Sequence, residues 1–193
     1  MVEASSPAVR EKSVEKFYRF ANRLAEALGG ENLDYAFTGA LAVSFYGAPR
    51  TTSDVDVMVA VGGGADAKKV AVALQRAGLD VDERKLYEAL VSGYNIATFK
   101  DKASAYTVDV IFSGVKLEKN AGVIAGLNTF FQKPEGLVLA KLRMIKVTLP
   151  RERAFKDEED VKAILAFTQL DLAAVKVQAK KEGTFEILQS LIK

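Results

Sequence analysis

The chain has 193 residues, with 49% apolar and 27% charged side chains, a net charge of +2 and a pI near 8.6. This is ordinary globular usage, able to bury a core and too mildly basic for a histone-like nucleic-acid binder. It contains neither cysteine nor histidine, which excludes Cys/His zinc sites, haem on His, thiol redox chemistry, the Ser-His-Asp triad and every nucleophile–base pair that needs one of the two. Catalysis, if present, must run on carboxylates, Lys/Arg, hydroxyls or hard cations held by oxygen. No run of 18 apolar residues occurs, and the leading "MVEASSPAVREKSVEKF" carries charge where a signal peptide needs an apolar core, so a cytoplasmic protein is expected.

The first predicted element is a helix over residues 7–28, opened by Ser6 as N-cap and Pro7 and stopped by Gly29-Gly30. Val14, Phe17, Tyr18, Ala21, Leu24, Ala25 and Leu28 form its apolar stripe. A short strand "DYAFTG" stops at Gly39, a short helix "ALAVSFYG" follows, and "APRTTS" is a loop. Next come the strand "DVDVMVAV" and a glycine loop with a helix, "GGGADAKKVAVALQRAG". That loop lacks the later Gly-Lys-Ser/Thr of a P-loop.

"DERKLYEALVSG" reads as a helix or an irregular link, and "YNIATFK" and "AYTVDVIFSG" as neighbouring strands turned by "DKAS". "AGVIAGLNTFF" gives one or two short strands, and from Pro134 onward four helical segments are predicted. No repeat or low-complexity tract is present. The expectation is a mixed α/β (α+β) core over residues 1–131, a small mixed sheet with flanking helices, followed by a helical C-terminal extension over 132–193.

Alternation along "DVDVMVAV" puts Asp54, Asp56, Met58 and Ala60 on one face and Val55, Val57, Val59 and Val61 on the other, the core side. The two carboxylates stand about 6–7 Å apart along the strand, a spacing that lets both converge on one hard cation. Asp109 is a lone acid within "AYTVDVIF", facing with Thr107 and Ile111. If the two strands are neighbours, it completes a three-carboxylate cluster that repels itself unless cations neutralise it. On the residues alone the other readings stand beside this one. Asp54 is then a turn residue, Asp56 a solvated position and Asp109 the partner of a basic side chain. Gly39, between strand and helix, offers backbone N–H groups to an anion, and Arg50, four residues before Asp54, lies within reach of a phosphate; alternatively these are a plain turn and a surface charge.

Together these stretches resemble the nucleotidyltransferase superfamily with the fold of DNA polymerase β. "TGALAVSFYGAPRTTSDVDVMV" is similar to the small stand-alone members, the AbiEii/AbiGii-type toxins and the lincosamide-resistance enzymes. "KPEGLVLAKLRM" and "RERAFKDEEDVKAIL" resemble the helices that follow the core there. The resemblance covers roughly residues 34–167. It implies transfer of a nucleoside monophosphate from an NTP to a hydroxyl or phosphate of a tRNA, a protein or a small molecule, with release of pyrophosphate. It further implies two Mg²⁺ (or Mn²⁺) ions on Asp54, Asp56 and Asp109, phosphates between Gly39-Ala40 and Arg50, and an antitoxin partner if the chain is a toxin. Lys141, on or beside its helix's apolar stripe, either snorkels or points at the anionic site, and the resemblance implies the second. Asp157 and Asp160 read as acids placed for the helix dipole. Ala40 departs from the usual Gly or Ser and supplies no hydroxyl. The alternative function is a weakened relative that binds nucleotide or a partner protein.

Overall fold

The computed structural model describes residues 7–192 apart from 48 and 51, and within it the side chains of 7–13, 124, 151 and 153 are not described. The expected cap at Ser6 therefore lies outside the described residues.

Helix α1 (Pro7–Gly30) runs through both glycines that were expected to stop it, and the chain turns at Asn32 with positive φ. Its buried face is Phe17, Phe20, Ala21, Leu24, Ala25 and Leu28. Phe20 joins the stripe and Val14 is exposed; the Phe20 ring stacks on Tyr106 with centroids 5.4 Å apart, and Phe17 meets the same ring edge-on at 5.5 Å. Strand β1 (Tyr35–Phe37) leads through Gly39 into α2 (Gly39–Tyr46), and the chain returns as β2 (Asp54–Ala60), antiparallel to β1. The crossover from β2 carries α3 (Gly64–Arg76), β3 (Leu79–Asp80), α4 (Glu83–Val91) and β4 (Ile96–Asp101) before β5 (Thr107–Ser113) pairs with β2 in parallel. The α4 segment, left open between helix and link, is a helix capped by Asp82, whose carboxylate accepts the Arg84 N–H.

A hairpin of β6 (Lys119–Ile124) and β7 (Leu127–Gln132) then docks β7 in parallel on β1. The described residues form one seven-stranded mixed sheet in the order β3-β4-β5-β2-β1-β7-β6. The chain ends in α5 (Pro134–Val147), a 3₁₀ turn (Arg151–Ala154), α6 (Phe155–Phe167), α7 (Leu172–Glu182) and α8 (Phe185–Leu191).

One face of this sheet is the core. Val55, Val57, Val59, Val108 and Val110 are fully buried there, with Phe37, Phe99 and Phe131. Each such side chain contributes about 1.5–3 kcal/mol by leaving water. The buried cluster continues without a break into Leu137, Leu142, Ile145, Val161, Ile164 and Leu188 of the C-terminal helices. Among the described residues no helix is long and apolar enough to cross a membrane.

Candidate active site

The opposite face of the sheet is laid out in rows by strand register. Asp56 on β2 lies directly beside Asp109 on β5, which lies beside Thr98 on β4. One row toward the start of β2 are Asp54, Thr107 and Lys100; one row the other way are Met58, Ile111 and Ile96. A carboxylate row thus sits between a polar row and an apolar one. Alternation along each strand puts these residues outward while their neighbours fill the core.

Each acid has its own hydrogen-bond partner. The Thr107 hydroxyl donates to Asp54 Oδ1 at 2.5 Å, and the Thr98 hydroxyl to Asp109 Oδ1 at 2.6 Å. Asp56 accepts the Ala40 N–H at the start of α2. Gly39 sits against that same carboxylate. A Cβ built there would stand 1.8 Å from Asp56 Oδ2, and its φ of +57° is left-handed. Glycine is therefore required twice, by conformation and by contact. Burial, then the charges of Asp109 and Asp54, push the Asp56 carboxyl up to about 6, against the opposing pull of Lys141 and the Ala40 N–H. With the side chains so turned, no group of three or more carboxylates among the described residues is gathered tightly enough to hold a metal ion. The donor set is nevertheless all oxygen, and a half-buried acid between two others is the environment a hard cation relieves.

The C-terminal helices bring cations to this cluster. Lys141 on α5 is 13% exposed at its side chain and reaches Asp157 Oδ1 at 2.7 Å and Asp160 Oδ2 at 2.8 Å. Burial works to lower its pKa, but hydrogen bonds and charge from the two aspartates outweigh burial and raise it. Arg50 pairs with the same Oδ2 of Asp160, whose side chain is only 6% exposed. The Arg50 N–H is fixed by Ser44 Oγ at 3.1 Å, which ties the loop before β2 to α2. Asp157 and Asp160, expected to serve mainly the helix dipole, are the partners of Lys141 and Arg50. Lys141 does not snorkel to solvent; it is held among acids of α6 close enough to act on Asp56.

All seven sequence-predicted site residues thus lie around one end of the sheet. Asp54, Asp56 and Asp109 share its open face, Gly39 and Ala40 touch Asp56, Lys141 acts on Asp56 by charge, and Arg50 reaches the group through Asp160. Thr98, Thr107, Asp157 and Asp160 were missed as site residues. The two threonines could have been found by aligning "IATFK" and "TVDV" as paired strands.

No protein-family model matches the chain, and a search of curated proteins finds no match. Solved structures do match in fold. The solution structure of the antibiotic-resistance factor ANT(2'')-Ia superposes with a TM-score of 0.61 at 14% identity, covering 90% of this chain and 95% of that one. The crystal structure of ANT(2'')-Ia in complex with adenylyl-2''-tobramycin gives 0.60 at 13% identity, covering 91% and 98%. An antigenic nucleotidyltransferase-like protein from Paracoccidioides brasiliensis gives 0.51 at 14% identity, covering 79% and 76%. The chain has the nucleotidyltransferase fold, as its sequence resemblance implied.

Proposed function

We propose that the chain is a divalent-metal-dependent nucleotidyltransferase, moving a nucleoside monophosphate from an NTP to a hydroxyl or phosphate acceptor and releasing pyrophosphate. The observation that supports this best is Asp56 beside Asp109 in register, with Asp54 one row along the same face. Asp54, Asp56 and Asp109 would hold Mg²⁺ or Mn²⁺, which supplies neutralisation of phosphate charge and polarisation of the phosphoryl oxygens.

In the transfer, the acceptor oxygen forms a bond to the α-phosphorus while the bond from that phosphorus to the bridging oxygen breaks. Pyrophosphate leaves with the electron pair, and the acceptor proton passes to Asp109. The Thr98 hydroxyl holds one oxygen of Asp109 in place and leaves the other for that proton. Lys141 and Arg50 face the triphosphate side, kept there by Asp160 between them. The amino terminus of α2 is shared, since the Ala40 N–H is taken by Asp56 and other first-turn amides would meet phosphate.

Incubation with α-labelled NTPs, Mg²⁺ and total cellular RNA or lysate tests the proposal. A labelled product and pyrophosphate, both lost in Asp109→Asn, are expected; no pyrophosphate with any NTP refutes it. A second reading, a nucleotide-binding module without turnover, is favoured by the prior commitment of Arg50 to Asp160 and of the Ala40 N–H to Asp56. It predicts Mg²⁺-dependent NTP binding with no pyrophosphate released.

A further inference from the structure

On the proposed transferase reading, the nucleotide approaches Asp56 from α2, Arg50 and Lys141, so the acceptor must come over the other flank, across β5 and β4. A cavity of about 620 Å³ opens there, lined by Asp80, Val81, Asp82, Lys85, Thr98 and Lys100 among others. Thr98 joins it to the carboxylate row through its 2.6 Å hydrogen bond to Asp109. Lys100 lies two residues further along the same face of β4, about 6–7 Å away, and Lys85 stands across the cavity in the first turn of α4.

The charges of this cavity are unequally committed. Asp82 caps α4 through the Arg84 N–H at 2.9 Å and lies 3.6 Å from Arg84 Nε. Asp80 stands opposite Lys100 in the β3–β4 register. Among the described residues neither Lys85 nor Lys100 closes an ion pair, with Asp80 or any other acid. Two ammonium groups therefore face the cavity against one uncommitted carboxylate. An ammonium on a flexible stem suits a phosphate that arrives with the ligand, since it meets it as a movable point charge.

We infer that this cavity is the acceptor subsite and that it selects an anionic acceptor, a hydroxyl compound carrying a phosphate within reach of Lys100 and Lys85 when its hydroxyl lies beside Asp109. The hydroxyl sits by Asp109 and Thr98, and Lys100 and Lys85 take the phosphate. Sugar phosphates and nucleotides have this chemistry, free or at the end of a strand. A polycationic acceptor is disfavoured by the same two ammonium groups.

The test is a set of titrations of the full chain with Mg²⁺ and a non-hydrolysable NTP analogue already bound. Ribose phosphate is compared with ribose, AMP with adenosine, and a short single-stranded RNA distinguishes a strand end from a free nucleotide. The phosphorylated member of each pair should bind about tenfold tighter or better, as a charge-assisted contact requires. The Lys85→Gln, Lys100→Gln double variant should bring the pair to parity and leave the NTP-analogue affinity unchanged. Equal binding within every pair, no binding by any phosphorylated probe, or a preference that survives the double variant overturns the inference. Failure of the NTP analogue to bind with Mg²⁺ instead defeats the transferase reading, and the same phosphate titrations without it still judge the cavity.

Discussion

Gly39 and Asp160 each serve two partners, and substitution at either should be felt twice. At Gly39 an added methyl meets Asp56 Oδ2 at 1.8 Å in a left-handed backbone. Gly39→Ala should therefore cost about 1–2 kcal/mol for the conformation alone and displace the Asp56 carboxylate. Denaturant unfolding would measure the first effect and loss of Mg²⁺-dependent nucleotide binding the second. Gly39→Ala that binds Mg²⁺ and NTP normally would show that Asp56 need not rest on this turn. Asp160 lies between Arg50 and Lys141, nearly out of solvent. Among the described residues, Asp160→Ala leaves Lys141 with Asp157 alone and Arg50 with no acid, and should lose about 3–5 kcal/mol. Asp157, at 23% exposed, is the lesser partner, and Asp157→Ala should lose on the order of 1 kcal/mol. Equal losses in the two variants would mean that Asp160 does not organise the cations.

Elements differ in how far the sequence alone exposes them. Strands β2 and β5 were legible because alternation separates Asp54, Asp56 and Asp109 from an unbroken valine face. Nothing local marks β3, two residues long and recruited only by pairing with Lys100 and Asp101 of β4. The start of β6 was hidden by Lys119 and Asn120, polar residues that read as loop and are tied down by Asp34 and Tyr46. The Arg50–Asp160 pair joins positions 110 apart in sequence, and acids in the first two turns of a helix look alike in sequence whether they serve the dipole or a distant cation. Packing of the β6–β7 hairpin on α2 was equally unreadable, because it depends on Phe45 stacked on Phe131 with centroids 4.0 Å apart and Gly122 beneath both. A Cβ at Gly122 would lie 2.6–2.7 Å from those two rings. Gly122→Ala should force them apart and cost about 1–3 kcal/mol, read as a lower denaturation midpoint with an unchanged slope. A variant as stable as the parent would show that the hairpin packs elsewhere.

For the whole molecule, the carboxylate row couples folding to protons, and on the proposed reading it couples folding to metal in the opposite direction. The Asp56 carboxyl, ordinarily 3.8, titrates at about 6 in the fold because of burial and its two acidic neighbours. Between those values the native state holds a proton that the unfolded chain has released, so rising pH destabilises the metal-free protein. The stability conferred by the protonated form is fully present below pH 3.8 and is lost as pH rises through about 6. A pKa raised that far corresponds to a loss on the order of 2–3 kcal/mol, which Asp56→Asn should recover at neutral pH and leave unchanged near pH 4. On the proposed reading, binding of Mg²⁺ with NTP works the other way, because the metal needs the ionised carboxylate and a proton competes with it. Ligand that binds only the native state raises the melting temperature by mass action. The increment from Mg²⁺ and NTP should therefore be small at pH 5 and grow through pH 6 to a plateau near 7.5, while the metal-free melting temperature falls over part of that range. EDTA should abolish the increment at every pH, and Asp56→Asn should remove both slopes together. Melting curves with and without Mg²⁺ and NTP across this pH series decide the matter. A nucleotide increment that persists in EDTA and does not change with pH would place the nucleotide away from Asp56 and uncouple the carboxylate row from binding.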